Sequence, residues 1–283
     1  MPDQQNQDEW TVLQLLDWTA EFFEKRGIEN PRLNAELLLG KVLDKERIML
    51  YAEFEHMLSP EERREFRQLV KKRASRYPLQ YILGHTEFYG RDFEVTPDVM
   101  VPRQETELLV ETCLEKIPGD GESRLCADIG CGSGVVGVTL AAERSRLRVI
   151  CVDSEEGAVE LTRRNARAND VADRVKVTCG HLLEPVEEQV SAEGDGVDLV
   201  ASNPPYVPTD DIEELEPEVK DHEPRSALDG GPDGLDIIRE LVPAAGRVLK
   251  PGGWLAMEIG EGQSEDVRDI LEGTPDFRAG SVL

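Results

Sequence analysis

The sequence is poor in lysine and aromatic residues and has no long apolar run. Of its 283 residues, 5% are aromatic and 39% are hydrophobic. No apolar run approaches the ~20 residues that a membrane-spanning helix needs. No positively charged segment followed by an apolar one opens the chain, as it would in a signal peptide. These absences argue against a membrane protein or a secreted one, so we expect a cytoplasmic protein that does not contact a membrane.

The five cysteines include no C-x-x-C pair, the spacing that is typical of zinc sites and redox motifs. They are Cys113, Cys126, Cys131, Cys151 and Cys179. Several fall in predicted strands or in a glycine-rich turn, where a small apolar side chain packs well. An odd, scattered set is typical of a reducing compartment, and we expect no metal site.

The net charge of −26 comes from 58 acidic residues against 32 basic ones. Such an excess is typical of a solvated acidic surface adapted to high salt. It also disfavours naked DNA, because phosphate contacts supply most of that affinity, so we expect no direct DNA binding. One predicted helix, 60–75, concentrates basic residues and is either a solvated face or a contact for a partner. Its basic residues are Arg63, Arg64, Arg67, Lys71, Lys72 and Arg73, with Arg76 just beyond.

The most informative motif is Asn203-Pro204-Pro205-Tyr206, which directly follows the apolar run 197–202. Asparagine carries a carbonyl acceptor on a short stem. Pro204 presents its own carbonyl rigidly, because its φ is fixed and it has no N–H. Both oxygens could accept from one substrate NH2 group, with Tyr206 as a flat wall. The alternative is that the two prolines only form a turn after a strand.

A glycine-rich turn precedes this motif, between a predicted buried strand and an apolar helix. It consists of Asp128-Ile129-Gly130-Cys131-Gly132-Ser133-Gly134. Its glycines let the backbone approach a ligand at a helix N-terminus. The spacing differs from the dinucleotide fingerprint G-x-G-x-x-G and resembles S-adenosylmethionine (SAM) sites. Asp153, after the next predicted strand, either accepts both ribose hydroxyls or caps the helix that follows.

Periodicity divides the chain into a helical part and an alternating part. Apolar residues at helical spacing predict helices over 11–26, 31–43, 45–51 and 60–75, the last with Ser59 as N-cap. A hairpin is expected at 87–96. From residue 105 helices alternate with strands, which requires a mostly parallel sheet with helices on both faces. We therefore predict a helical bundle over 1–76, a linker and hairpin over 77–96, and an α/β domain over 97–283. The acidic run 210–223 is expected either over the active site or as a surface insertion.

Further segments make the chain similar to one family. They are 76–84 (RYPLQYILG), 87–90 (EFYG), 101–107 (VPRQETE), 223–228 (EPRSAL), 230–235 (GGPDGL), 252–254 (GGW), 258–260 (EIG) and Gln263. Together with the two motifs above, they resemble the release-factor glutamine N5-methyltransferases, also called the HemK or PrmC family. The resemblance covers roughly residues 10–275. The first segment makes it specific, because Asn-Pro-Pro-Tyr is shared with enzymes that methylate amino groups of DNA and RNA bases.

The resemblance implies a Rossmann-like, SAM-dependent methyltransferase fold with a mostly parallel sheet of the seven-stranded type, preceded by a helical domain that recognises the substrate. It implies methyl transfer from SAM, with S-adenosyl-L-homocysteine as product, to N5 of the glutamine in the Gly-Gly-Gln motif of class I peptide-chain release factors. A monomer is expected. Two alternatives stay open: an N-methyltransferase for an exocyclic amino group of a nucleic-acid base, and a SAM-binding or dinucleotide-binding scaffold without activity.

Site residues follow from the same resemblance. Catalysis is assigned to Asn203 and Pro204, and substrate binding to these two with Pro205, Tyr206 and Phe88. Cofactor binding is assigned to Asp128, Gly130, Cys131, Gly132, Ser133, Gly134, Asp153, Leu182 and Asn203. Leu182 departs from the family, which often has an aromatic there after an acidic residue; this chain has His181, expected on the surface. Similar proteins also continue past Leu283 with a turn and a last strand, so this chain end is either natural or trimmed.

Overall fold

A computed structural model of the protein describes residues 10–117, 119, 121–193, 196–275, 277, 278, 280 and 281. The chain divides into two compact units, Met1–Gly84 and His85–Leu283. The outer ends of the predicted domains, at 1 and 283, lie outside the described residues. Residues 77–84, which we expected in a linker, belong to the first unit because Tyr77, Leu79 and Ile82 pack into its core.

The first unit is a bundle of helices. They are α1 (Val12–Glu24), α2 (Pro31–Leu43), α3 (Arg47–Ala52), α4 (Pro60–Ala74) and α5 (Leu79–Leu83). Thr11 and Ser59 close capping boxes at the starts of α1 and α4, satisfying N–H groups that have no partner within the helix. The large side chains of Leu16, Phe23 and Leu38 are fully buried between the helices. The four helices predicted from periodicity are therefore confirmed, and α5 is additional.

Six of the seven basic residues of α4 and its end fall into two groups. Arg73 is buried and donates to Asn34 Oδ1 at 2.7 Å, and Arg76 donates to the Gly27 carbonyl at 2.8 Å. These side chains hold the bundle together. Arg64, Arg67, Lys71 and Lys72 are exposed, although Lys72 also lies over the Tyr77 ring. Part of the basic cluster is therefore structural, and the exposed part is a charged surface.

The second unit opens with a hairpin, as predicted, and continues as alternating helices and strands. Its strands are β1 (His85–Phe88), β2 (Arg91–Glu94), β3 (Arg124–Ile129), β4 (Leu147–Asp153), β5 (Val175–Cys179), β6 (Val197–Ser202) and β7 (Leu249–Met257). Its helices are α6 (Thr106–Lys116), α7 (Val135–Glu143), α8 (Glu156–Ala168), α9 (Glu184–Glu193), α10 (Pro217–Lys220), α11 (Asp236–Val248) and α12 (Ser264–Glu272), with short 3₁₀ turns at Asp211–Glu214 and Arg225–Ala227.

The main sheet has the order β5-β4-β3-β6-β7 in the described residues, and every neighbouring pair is parallel. Alternate residues of its strands enter different cores. Cys126 packs with α6 and α7 on one face, and Leu125 packs with α9 and α11 on the other. The prediction of a mostly parallel sheet covered on both faces is confirmed. Four cysteines are buried and Cys179 is exposed, so most of them act as small apolar fillers.

The path of the chain determines where a ligand can bind. From β3 it moves outward through β4 and β5, and then returns to β6 on the other side of β3. Such a reversal opens a crevice beyond the carboxyl ends of the two central strands. Ile129 and Ser202, the last residues of β3 and β6, are paired in register, so Gly130 and Asn203 emerge side by side. Among the described helices, none is long and apolar enough to span a membrane.

Candidate active site

A cavity lies at the carboxyl edge of the main sheet. Segments that follow β3, β4, β5 and β6 line it, together with residues 98–106 and part of the segment after the Pro-Pro motif. The lining residues among those predicted for the site are Asp128, Gly130, Cys131, Gly132, Ser133, Asp153, Leu182, Asn203, Pro204 and Pro205. The fold thus brings most of the predicted positions together around one space.

The glycine loop needs its glycines for two different reasons. Gly130 has φ +68°, and a Cβ there would meet only the Asn203 carbonyl, at 3.9 Å, so a side chain would project between the loop and the Pro-Pro motif. Gly134 has φ +82°, and its Cβ would lie 2.7 Å from the Thr162 methyl. Gly134 is the N-cap of α7 and supports the turn from behind, since it is not among the cavity-lining residues.

Asp128 fixes the start of α7 against the loop. Its side chain is buried, and its Oδ2 accepts a 2.8 Å hydrogen bond from the Gly137 N–H. Burial raises the pKa of Asp128 to about 7, although the Gly137 bond opposes that rise, and the nearby Asp153 adds to it. Asp128 is therefore a support of the loop that also reaches the cavity wall.

Asp153 ends β4 and faces the cavity with a half-buried carboxyl group. One oxygen accepts from the Gly132 N–H at 2.8 Å and the other from the Glu155 N–H at 3.1 Å. Each carboxylate oxygen can accept a further bond. Burial raises the pKa of Asp153, opposed by these backbone bonds. The N-cap of α8 is Glu155, so the alternative that Asp153 is that cap does not describe the structure.

The segment after β5 forms a further wall. Leu182 lines the cavity with φ +46°, a backbone conformation that is unusual for a bulky side chain and is often found at functional sites. Its side chain also packs against the core under α9 and α11. His181 is exposed and lies 3.1 Å from Glu240, in agreement with its expected surface position.

The Pro-Pro motif is divided between the cavity and its support. Asn203, Pro204 and Pro205 line the cavity, whereas Tyr206 does not. Phe88 was expected to bind substrate, but the structure places it in the core. It is 2% exposed and packs edge to face on Phe93, with ring centroids 6.1 Å apart. In the hairpin register, Thr86 is paired with Phe93. Because Phe88 lies two residues after Thr86 in the same strand, its ring is on the same buried side of the hairpin as that of Phe93.

Side chains behind the motif form a hydrogen-bonded chain. Asn203 Nδ2 donates to Thr106 Oγ1 at 3.1 Å, and Thr106 Oγ1 donates to Glu258 Oε2 at 2.8 Å. The Tyr206 hydroxyl donates to Glu258 Oε1 at 3.0 Å. Burial raises the pKa of Tyr206 to about 12, and the neighbouring Glu258 contributes, so the phenol keeps its proton at neutral pH. This Asn203–Thr106–Glu258–Tyr206 network connects the motif to α6 and to the end of β7.

The backbone of the motif is also held. Gln263 Nε2 donates to the Tyr206 carbonyl at 3.0 Å, and Gln263 Oε1 accepts from the Gly260 N–H at 2.8 Å. Gly234 approaches the same carbonyl so closely that a Cβ would lie 2.2 Å from it, which explains why only glycine fits there. The motif is therefore restrained through both its side chains and its backbone.

One ion pair joins two parts of the cavity wall. One part precedes the Pro-Pro motif in the sequence, and the other follows it. Arg103 donates to Glu223 at 2.6 Å, with the Glu223 side chain only 1% exposed. Burial raises the pKa of Glu223, and Arg103 opposes the rise. The segment that follows, including Pro224 and Ser226, lines the cavity. The end of the acidic run 210–223 thus anchors a cavity wall.

The residues present fit SAM. A Cβ at Gly130 would enter the space beside Asn203, so the absent side chain keeps that space open for a ligand. The half-buried Asp153 carboxylate offers acceptors for ribose hydroxyls, and Leu182 with Val99 and Ala158 supplies apolar surface on the lining. Polar acceptors and apolar walls together suit a nucleoside with a sulfonium side chain.

Sequence reasoning missed the roles of Thr106, Glu258 and Arg103. These residues are separated from their partners by 97, 152 and 120 positions, so no local pattern joins them. All three fall inside segments that resemble the family (101–107 and 258–260). That resemblance was the only feature of the sequence that pointed to a role for them.

Profiles of two domains match the chain. The PrmC N-terminal domain matches residues 14–84, and the methyltransferase small domain matches residues 103–215. The first match ends at the same residue as the helical unit of the structure.

Two relatives that align with most of this chain have the same name. The release factor glutamine methyltransferase of Geobacter sulfurreducens is 46% identical over 265 residues, covering 94% of this chain and 89% of that protein. The protein of the same name from Moorella thermoacetica is 41% identical over 273 residues, covering 96% and 94%. Among solved structures, the catalytic domain of hMettl16 in complex with the MAT2A 3′UTR hairpin 1 has a TM-score of 0.52 at 15% identity, covering 71% of this chain and 72% of that one. That likeness concerns the fold alone.

Proposed function

This chain belongs to the release factor glutamine methyltransferase family, and from that membership we propose how its cavity works. The protein is an enzyme, and SAM is its methyl donor. We propose that it methylates the side-chain amide nitrogen of the glutamine in the Gly-Gly-Gln motif of class I release factors. The observation that most supports this proposal is the position of Asn203. It lies beside the glycine loop, and its amide nitrogen donates a hydrogen bond to Thr106.

The acceptor side orients a poor nucleophile. The lone pair of an amide nitrogen is delocalised into its carbonyl group, so the nitrogen reacts only when it is suitably positioned and polarised. In the proposed complex, Asn203 Oδ1 and the Pro204 carbonyl accept the two N–H groups of the substrate. These acceptors direct the nitrogen toward the cofactor side and stabilise positive charge that develops on it. No general base is needed until the methyl group has been transferred.

The cofactor side holds the donor. Asp153 accepts the ribose hydroxyls, the loop over 130–133 follows the ligand with its backbone, and Leu182 packs against the base. When bound, SAM would supply a methyl group on a positively charged sulfonium, and the neutral thioether S-adenosyl-L-homocysteine is the leaving group. Pro205 and the wall anchored by Arg103 and Glu223 restrict water around the reacting groups.

The partner is proposed to be an intact release factor, bound by a monomer in the cytoplasm, where translation ends. Two observations support this partner over a nucleic acid. The chain carries a net charge of −26, which opposes phosphate binding. The exposed basic residues of α4, namely Arg64, Arg67, Lys71 and Lys72, form a local surface suited to an acidic patch on a protein.

The test is to incubate the protein with radiolabelled SAM and either a class I release factor or total RNA. We expect label in the release factor, located by mass spectrometry on the glutamine of Gly-Gly-Gln, and a background level in RNA. Label in RNA but not in the release factor would refute the proposal and favour the nucleic-acid alternative. A release factor whose glutamine is replaced by asparagine is the control for position.

A further inference from the structure

We infer that Thr106 and Glu258 are positioning residues that determine which way the Asn203 amide points, and that they thereby make the acceptor pocket select a hydrogen-bond donor. The pocket should bind a side-chain amide and reject a group of similar size that offers acceptors only. This inference deepens the proposed function and depends on it for the identity of the substrate.

The observation is the chain of short contacts behind the motif. Asn203 Nδ2 lies 3.1 Å from Thr106 Oγ1, which lies 2.8 Å from Glu258 Oε2. Thr106 is 3% exposed, so bulk water cannot replace either partner. Asn203 and Thr106 both line the cavity. The orientation of one buried hydroxyl therefore decides the orientation of a group that faces the ligand.

The number of protons available to these groups fixes the direction of each hydrogen bond between them. A carboxylate only accepts, and a threonine hydroxyl has a single proton to donate. Glu258 takes that proton, so Thr106 can only accept from Asn203. The group of Asn203 that points to Thr106 must then be its NH2, which leaves Oδ1 for the ligand. The assignment of nitrogen and oxygen in an amide rests on such networks, and this network permits one assignment.

Glu258 is itself held in place. The Tyr206 hydroxyl donates to its other oxygen at 3.0 Å, and its own N–H donates to the Ser202 carbonyl at 3.0 Å. Two donors, Thr106 and Tyr206, thus converge on one carboxylate at the end of β7. Turning the Asn203 amide over would place its carbonyl oxygen against the Thr106 oxygen, whose proton is already donated. An unsatisfied buried pair of this kind costs roughly tenfold to a hundredfold in population.

The consequence is a pocket that distinguishes donors from acceptors. With Oδ1 presented beside the Pro204 carbonyl, two acceptors face the ligand. The NH2 of glutamine satisfies both, whereas an ester or carboxylate oxygen meets them with repulsion. A site built for a hydrogen-bonding partner discriminates strongly against an analogue that lacks it.

The experiment compares two peptides on the full chain. One contains Gly-Gly-Gln, and the other carries the γ-methyl ester of glutamate in place of glutamine, which is neutral but has no side-chain N–H. The affinity of each is measured by calorimetry in the presence of S-adenosyl-L-homocysteine, and kcat and KM are measured for the first. The variants are Thr106→Val, Thr106→Ser and Glu258→Gln, with Glu261→Gln as the matched control on an exposed residue.

Wild type should bind the amide peptide at least about tenfold more tightly than the ester. Thr106→Val removes the acceptor without changing charge, so this preference should fall to about twofold or less, with a loss in kcat. Thr106→Ser keeps the hydroxyl and should restore both. Glu258→Gln adds an NH2 that can donate to Thr106, so that Thr106 can donate to Asn203 Oδ1. The amide can then turn over, and the preference should again fall.

Unchanged preference and unchanged kcat in a folded Thr106→Val protein would overturn the inference. If that variant does not fold, the same result in Glu258→Gln, which keeps the size of the side chain, would overturn it. An equal loss of affinity for both peptides would also contradict it, since a purely structural role acts on both. Failure of wild type to methylate the release factor would instead refute the proposed function, so the two outcomes are distinguishable.

Discussion

The cofactor side of the cavity is held by bonds between the backbone and nearby side chains, whereas the acceptor side is built from side chains that come from distant parts of the chain. On the first side, Gly132 and Gly137 donate their N–H groups to Asp153 and Asp128, and all lie within neighbouring strands and turns. On the second side, Asn203 depends on Thr106, which is 97 positions away. In the proposed complex, the cofactor, which many enzymes share, is bound by a local motif, and the specific substrate is bound by a network assembled from distant segments.

This difference predicts separable consequences of substitution. Changes on the cofactor side should alter the affinity for SAM, because in the proposed complex those residues contact the donor. Changes on the acceptor side should alter the rate of transfer, because in the proposed complex those residues orient the nucleophile. A variant that changed both the affinity for SAM and the rate of transfer would show that the two sides are coupled.

The largest effect is expected for Asn203→Ala. Loss of the acceptor oxygen should reduce kcat on a release factor by about 100- to 1,000-fold, as when one preorganised transition-state contact is removed. Single-turnover kinetics at saturating SAM measures the step. Asn169→Ala, the same chemical change outside the cavity, is the control and should keep near wild-type turnover. A turnover of Asn203→Ala close to wild type would show that the acceptor geometry is not used.

Asp153→Ala should affect the cofactor side of the cavity and lower the affinity for SAM. Hydrogen bonds to a charged group contribute about 1.5–3 kcal/mol, so the affinity for SAM should fall roughly 10- to 150-fold. The kcat at saturating SAM should change little. Calorimetric titration gives the dissociation constant, with exposed Asp173→Ala as the matched control. An unchanged dissociation constant would restrict Asp153 to its bonds with Gly132 and Glu155.

A smaller effect is expected from the helical unit. Reversing Arg64, Arg67 and Lys71 to glutamate should raise KM for an intact release factor by about tenfold, because surface charge acts chiefly on association. A short Gly-Gly-Gln peptide should be methylated as before. The difference should shrink in 1 M salt, where the Debye length is about 3 Å. The control reverses Arg148, Arg167 and Arg268, which are exposed in the second unit; equal effects of the two triple variants would argue against a docking surface on α4.

The smallest effect on activity is expected for Phe88→Leu. Because Phe88 is buried against Phe93, the change should lower the free energy of unfolding by about 0.5–3 kcal/mol and leave KM for the peptide unaltered. Urea unfolding and steady-state kinetics provide the two readouts. A raised KM at unchanged stability would return Phe88 to the substrate site.

Much of the fold follows from patterns within one segment. The apolar spacing of α1, α2 and α4 and the buried runs of β3, β4 and β6 each indicate their structure without help from elsewhere. Helix α5 was missed because five residues after Pro78 are too few to show a period. It forms because Ile82 and Leu83 are covered by the bundle, which is tertiary information.

Site residues can be predicted from the sequence only where they belong to a motif that is contained in a single turn. Gly130, Asp153 and Asn203 each follow a predicted strand, and parallel strands bring their ends together. Phe88 was misplaced because the burial of a ring in a four-residue strand depends on hairpin register. Glu258 was missed because its partners Thr106 and Tyr206 are 152 and 52 positions away. Neither the register nor these distant pairings can be read from a single local pattern.

The resemblance assigns Asn203 to both ligands, and we propose that its side chain acts on the substrate amide and contributes little to the binding of SAM. The most direct test is the SAM affinity of Asn203→Ala, measured by calorimetry beside wild type and Asp153→Ala. We expect a dissociation constant within about twofold of wild type, the margin expected for independent sites, in a protein that has lost transfer. A weakening of SAM as large as that of Asp153→Ala would contradict it, because Asn203 would then belong to the cofactor side.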